Sequence, residues 1–187
     1  ITKLDSIAWI LNIRGNDVPC NPVLLCHGLL YADGSFDLFI AKNKIPDGFD
    51  AHVGSNVNII APEIMQDHLT QFSGKAIQLD ANCSNDWAKN IIINADAKII
   101  EKDDPCTLPK ACKNDSEING MKKCHIRDAV AVCSFLAWLD NQLLNGKTLD
   151  EGILADELDS YRGELDLFKG ISFGTISAAG KNAAMCH

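Results

Sequence analysis

The pattern of apolar residues changes character once along this chain, and that change limits the folds open to it. Up to Pro105, apolar runs are short and separated by Pro, Gly, Asn and Asp, the pattern of small strands and helices in alternation. From Asp115 onward, Ile118, Met121, Cys124 or His125, Val132, Phe135, Leu136, Leu139 and Leu143 recur near 3.6-residue spacing, the pattern of one long amphipathic helix. The longest apolar stretch, Ala129 to Leu139 with Ser134 inside it, is far short of the roughly 20 residues that cross a bilayer, so no membrane segment is expected.

In the first part, Ser6 to Ile13 reads as a core strand closed by Arg14-Gly15-Asn16-Asp17. Val23 to Tyr31 and Phe36 to Ala41 form a hairpin across Ala32-Asp33-Gly34-Ser35, so three antiparallel strands are expected near the start. Val57 to Ala61 is a strand, Pro62 to Gln71 a helix opened by proline, and Ala76 to Asp80 a strand. Trp87 to Ile93 is a helix and Lys98 to Glu101 a last strand before Asp103-Asp104-Pro105. This predicts a mixed α/β domain ending near Leu108.

In the second part the long helix is capped by Asp115 or Ser116, and Thr148-Leu149-Asp150-Glu151 reads as a capping box starting a second helix to about Arg162. Ile171 to Ser177 reads as a strand, Ala178 to Lys181 as a turn and Asn182 to His187 as the start of another strand. A hairpin strand without a partner leaves its backbone bonds unmet, which predicts a truncated chain.

Charge and cysteine content narrow the function. With 17 basic and 25 acidic side chains the net charge is −8, against the clustered Lys and Arg that grip nucleic acid, so no nucleic-acid partner is expected. The closest of the eight cysteines, Cys20/Cys26 and Cys106/Cys112, have five residues between them, a spacing diagnostic of no zinc site. Cys124 and His125 are helix neighbours about 100° apart, and the thiols read as buried or inert in a reducing cytosol.

Gly174 to Asn182 has one residue too many for a phosphate loop and Asn182 in place of Ser or Thr. Asp80 to Asp86 has Asn85 where a calcium loop needs Gly, and Ile91 where it needs Glu. Asn82-Cys83-Ser84 and Asn114-Asp115-Ser116 match the glycosylation pattern only as an Asn-rich chain does by chance. Asp150, Glu151, Asp156, Glu157, Asp159, Glu164 and Asp166 read as a solvated acidic face. His27, His52, His68 and His125 have no partner recognisable from spacing, and by its own residue type His187 is only a terminal, exposed histidine.

Leu4-Asp5-Ser6-Ile7-Ala8-Trp9-Ile10-Leu11-Asn12-Ile13-Arg14-Gly15-Asn16-Asp17-Val18-Pro19-Cys20-Asn21-Pro22-Val23 resembles, almost without a gap, the opening of the middle domain of the Xaa-Pro aminopeptidase (aminopeptidase P) family of pita-bread metallopeptidases. Lys110 to Asn114, Glu117, Gly120-Met121, His125-Ile126, Asp128-Ala129 and Trp138-Leu139 are similar to the first helix of that family's catalytic domain. Ser172-Phe173-Gly174-Thr175-Ile176-Ser177 with Gly180, Asn182, Ala183 and His187 resembles the segment that delivers its first active-site histidine. Lys181 stands where many relatives have Pro, and the region from Asn43 to Pro105 carries little of the likeness.

The resemblance implies a mixed-sheet, creatinase-N-terminal-like (ribonuclease H-like) α/β domain at residues 1–108, then the truncated beginning of an α+β pita-bread catalytic domain at 109–187. It implies a cytoplasmic, homodimeric full-length enzyme that removes the residue before a proline at the second position of a peptide, using two divalent ions, manganese in most members. Their ligands lie beyond His187 in the family, so no metal ligand is assigned here and the fragment is expected to bind none and be inactive. His187 takes a supporting catalytic role, donating to the oxyanion or relaying a proton, and Phe173 a place in the substrate pocket, although Phe173 alone reads equally well as core. A non-catalytic pita-bread homologue acting as a peptide- or protein-binding module is the alternative, and a metal-free creatinase-like hydrolase a third. The helix face of Ile118, Met121, Val132, Phe135, Leu136 and Leu139 is expected to dock on the strands present or to drive association.

Overall fold

The computed structural model describes residues 1–184 and divides the chain into two compact units, Ile1–Cys112 and Lys113–His187. Elements of the first unit run α1 (Leu4–Ile10), β1 (His27–Leu30), β2 (Phe36–Phe39), α2 (Phe49–Val53), β3 (Val57–Ile60), α3 (Met65–Thr70), β4 (Ala76–Leu79), α4 (Asp86–Asn94), β5 (Lys98–Glu101) and α5 (Thr107–Ala111). The second unit holds α6 (Asp115–Leu144) and α7 (Glu151–Gly163).

The hairpin forms as its turn chemistry requires. β1 pairs antiparallel with β2, from His27 opposite Phe39 to Leu30 opposite Phe36. The turn is closed by Gly34 at φ 87° and by Asp33, whose carboxylate accepts from the Ser35 N–H and hydroxyl. Gly28 is also required by space, because a Cβ there would lie 2.3 Å from the Phe36 ring.

Three antiparallel strands do not form at the start. Ser6 to Ile13 is instead α1 with its exit: Ile7, Ile10 and Leu11 stand at helical spacing, and a short apolar run without strict alternation fits either periodicity. The exit turns through Asn12 at φ 49°, and carbonyls there accept side-chain bonds from outside the helix, that of Ala8 in addition to the Ile13 N–H. His52 Nε2 donates to the Leu11 and Asn12 carbonyls at 3.2 and 3.0 Å, and Arg14 Nη1 to those of Ala8 and Ile13 at 2.9 and 2.8 Å. The third strand of the sheet is β3, parallel to β2, giving the mixed order β1-β2-β3, while β4 and β5 form a separate parallel pair.

β2 is central and buried on both faces. Phe36, Leu38 and Ile40 pack with Ile7, Ile13, Cys26 and Phe49 on one side. On the other, Phe39 meets Met65, Leu69 and Ile91. Asp37 shares that second face and is 3% exposed, so its charge must be met inside the fold. Its carboxylate accepts from Tyr31 Oη at 2.5 Å and Asn58 Nδ2 at 2.8 Å, and lies 2.8 Å from His68 Nε2. Burial and this carboxylate push the Tyr31 phenol well above its ordinary pKa.

The second unit is built differently. Asn114, rather than Asp115 or Ser116, caps α6: its side chain accepts from the Glu117 N–H and the Glu117 carboxylate accepts from the Asn114 N–H, both at 2.9 Å. The reciprocal box therefore stands here and not at Thr148. α7 begins with Asp150 as its cap, accepting from the Ile153 N–H at 2.8 Å. Ile171 to Ser177 is irregular rather than a strand, and Gly180–Ala184 is a 3₁₀ turn. No neighbouring strand is paired with either segment among the described residues, so backbone bonds that would define a ladder are not made. In this unit Ala131 alone among the described residues is fully buried, while Ile118, Met121, Ile126, Val130, Leu136 and Leu143 are exposed. No helix among the described residues is long and apolar enough to cross a membrane.

Candidate functional site

Residues 164–184 leave the end of α7 as an irregular segment and are fastened back onto the second unit by side chains of α7. Thr175 Oγ1 donates to Asp159 Oδ1 at 2.7 Å. Glu151, in the first turn of α7, accepts from the Ala179 N–H at 2.7 Å and from Asn182 Nδ2 at 3.1 and 3.0 Å. Arg162 Nε donates to Asp128 Oδ1 at 2.8 Å, tying the last turn of α7 to α6. Charge-assisted bonds of this kind are the strong ones, and several in series fix a segment that has no ladder of its own.

Between these elements lies an open groove of about 350 Å³. Its wall combines His125, Asp128 and Arg162 with Phe168, Phe173 and Thr175. Phe173 is 66% exposed, so its ring presents apolar surface at the groove and is not core. Cys124 also borders the groove beside His125, although neighbours on a helix diverge by about 100°. His125 Nδ1 is turned back onto its own helix, donating to the Met121 carbonyl at 2.9 Å. An apolar ring beside a guanidinium and carboxylates suits an extended peptide: the ring covers an apolar side chain while the charged groups orient its polar ends.

His187 lies outside the described residues. Of the acidic stretch read as a solvated face, Glu151 and Asp159 are half-buried and bonded to the 175–182 segment. Eight residues apart, they stand about two turns, roughly 12 Å, apart along α7, and the partners Thr175 and Asn182 follow seven apart. That correspondence is the signal the sequence carried. Among the described residues no group of three or more His, Cys, Asp or Glu is arranged to hold a metal ion.

Residues 1–117 match the model of the creatinase/prolidase N-terminal domain family. The whole chain aligns with proteins described as probable Xaa-Pro aminopeptidase P, at 37% identity in Pyrenophora tritici-repentis and 39% in Talaromyces stipitatus. It covers 33% and 30% of those two proteins, so it spans about a third of the curated relatives it matches. A crystal structure of X-prolyl aminopeptidase from Caenorhabditis elegans, described as a cytosolic enzyme with a di-nuclear active site, superimposes with a TM-score of 0.82 at 31% identity, over 94% of this chain and 29% of that one.

Proposed function

Because the chain belongs to the creatinase/prolidase N-terminal domain family, we propose that it is part of an Xaa-Pro aminopeptidase, a metallopeptidase that releases the first residue of peptides with proline second. The observation that carries this reading is an end-to-end alignment: all of the chain, both units included, runs colinear with relatives of that description at 37 to 39% identity. On this reading residues 1–108 are the middle domain and 109–187 the opening of the catalytic domain. The apolar residues left exposed along α6 support the second assignment, since a helix with such a face belongs to a larger core.

A bond to proline nitrogen is a tertiary amide without an N–H, so recognition must come from shape and from the peptide's ends. Phe173 supplies an apolar ring at the groove suited to a pyrrolidine. His187 supplies an imidazole that hydrogen-bonds the developing oxyanion or relays a proton, a role worth roughly 10²–10⁴ in rate when the group is positioned. The bonds from Asp159 and Glu151 to Thr175, Ala179 and Asn182 hold the segment that carries Phe173 and leads in sequence to His187.

Two divalent ions, manganese by resemblance, belong to the proposed activity of the whole enzyme. By the resemblance their ligands come after the position of His187, and among the described residues no His, Cys, Asp and Glu cluster fits such a centre. A cytosolic, homodimeric enzyme follows from the same reading, supported for the compartment by the description of the nematode protein.

The test is release of the first residue from paired peptides with Pro or Ala second, using the full polypeptide of the parent gene. Cleavage confined to the Pro peptide, with kcat lowered about 10²–10⁴-fold by His187→Ala, is expected. Intact Pro peptide after exhaustive incubation with added manganese would replace this reading with the non-catalytic binding module.

A further inference from the structure

Residues 169–178 of the second unit run between two secured points. Upstream, the Phe168 N–H donates to the Leu165 carbonyl at 3.2 Å; downstream, the Ala179 N–H donates to Glu151. Among the described residues a single hydrogen bond leaves the stretch between them, from Thr175 Oγ1 to Asp159 Oδ1 at 2.7 Å. No strand pairs with it among the described residues, and a Cβ on Gly174 would meet nothing within 4 Å, so neither a ladder nor close packing fixes the backbone beside Phe173. The Phe173 ring, 66% exposed, gains no place from a core either. Its position in the groove wall is therefore set from Thr175, two residues away and at most about 7 Å along the chain.

Asp159 stands where it can set that position. It is half-buried on α7 and does not line the groove, whereas Thr175 and Phe173 both do. Arg162, three positions on and so on the same side of the helix, bonds Asp128 of α6 at 2.8 Å. The Asp159 carboxylate is thus carried on a braced helix, and its bond to a hydroxyl is charge-assisted and directional. Support runs from α6 through Arg162 to α7, and from Asp159 through Thr175 to the Phe173 ring. Glu151 ties Ala179 and Asn182, on the far side of Thr175 from Phe173, so the two carboxylates hold different parts of the segment.

We propose that Asp159 is a positioning residue that sets the groove's preference for proline over alanine at the second position of the peptide: through Thr175 it holds the Phe173 ring where a pyrrolidine fills the space against it and a methyl group does not. The proposal rests on the peptidase reading of the groove and adds to it which carboxylate governs selectivity. The ring meets the pyrrolidine in the ground state and the transition state alike, so its displacement raises KM for the Pro peptide and leaves kcat near its original value. A methylene seated in an apolar pocket discriminates by roughly 10–200-fold. Loss of the ring's fixed place should therefore cost the Pro peptide roughly tenfold in KM, while the Ala peptide, which does not fill the space, loses nothing.

The test makes Asp159→Ala, Asp159→Asn, Thr175→Val and the Ala/Val double variant in the full polypeptide of the parent gene with manganese, with exposed Asp156→Ala on the same helix as the control. kcat and KM are measured on the Pro peptide, and the Ala peptide is titrated as a competitor to give its inhibition constant. Asp159→Ala and Thr175→Val should each raise KM for the Pro peptide roughly tenfold, with kcat and the Ala peptide's constant near wild type. The double variant should rise no further, since both changes remove one bond. Asp159→Asn, which keeps the accepting Oδ1, and Asp156→Ala should match wild type. An unchanged KM in Asp159→Ala, a loss confined to kcat, or equal weakening of both peptides overturns the proposal, while cleavage before proline by the wild type leaves the peptidase reading standing. A raised KM in Asp159→Ala without one in Thr175→Val overturns it too, because the effect then bypasses the hydroxyl. Should Asp159→Ala fail to fold by circular dichroism, Thr175→Val decides by the same measurements. A wild type that leaves the Pro peptide intact overturns the peptidase reading and this assignment together.

Discussion

Replacing Asp37 by Ala should destabilise the first unit more than any loss of surface charge could. Asp37 is 3% exposed and meets Tyr31, Asn58 and His68 at 2.5, 2.8 and 2.8 Å. Alanine removes the acceptor: exposed Asn58 turns to water, while Tyr31 and His68, 3.2 Å apart, keep only each other beside Phe39, whose ring stands edge-on to His68 at 5.4 Å. A hydrogen bond to a charged group contributes about 1.5–3 kcal/mol, and an orphaned buried partner costs about 1–3 kcal/mol. Tyr31 and His68 are half-buried, so water recovers part of that cost, and the net loss is about 3–5 kcal/mol. Asp37→Asn keeps the shape and one acceptor oxygen but points an amide donor at the same groups, so it should lose about half as much. Urea unfolding in a Trp138→Phe background, where Trp9 and Trp87 of the first unit are the reporters, measures both. With a urea slope of about 1–3 kcal/mol per molar, Asp37→Ala should lower the midpoint by about 1–5 M. A loss below about 1 kcal/mol for Asp37→Ala, or a larger loss for Asn than for Ala, would refute the claim that this carboxylate organises the second face of β2.

Three further outcomes are expected. The Asp80 carboxylate accepts from the Asp104 and Asn82 N–H groups and is held at a pKa of about 2. Its folded pKa lies below the unfolded value of about 3.9, so its stabilisation is present above that value and lost as pH falls toward 2. Acid titration of Asp80→Asn should be flatter than wild type across that window. Burial raises the Cys26 and Cys106 thiols to about 11, so a thiol reagent at pH 8, mapped by mass spectrometry, should modify exposed Cys20, Cys112, Cys124 and Cys133 first. It should reach Cys26 and Cys106 only in denaturant. Glu151→Ala should release the Ala179 amide, speeding its hydrogen exchange roughly tenfold or more, while the Asp150-capped start of α7 stays helical by circular dichroism.

Elements whose signals are local were legible in the sequence. The Asp33-Gly34 turn closes β1 onto β2 because only a positive-φ residue fits there. β3, α4 and β5 follow from short periodic runs with clear breakers, while the helix expected from Pro62 begins as a 3₁₀ turn, Pro62–Ile64, and becomes α3 only at Met65. α6 declared itself by length and periodicity, although its cap fell on Asn114, the residue whose side chain reaches the N–H of Glu117. The groove was legible only in part: Phe173 was singled out by resemblance, while Glu151 and Asp159 looked like any solvated helix carboxylates until their partners came into range.

What the sequence determined by itself, then, is the alternation of elements, the change of character after Pro105 and the family, all properties written in near neighbours and in long colinear matches. What only the tertiary structure decided is whether an apolar run is helix or strand, as at Ser6 to Ile13, whether a strand pairs parallel or antiparallel, as at β3, and which carboxylates hold backbone and which face water. Each of these depends on hydrogen-bond partners tens of residues away. His52 finishing α1, Asn58 and His68 meeting Asp37, and Asn182 reaching Glu151 supply energies that local propensity, worth a fraction of a kcal/mol per residue, does not contain.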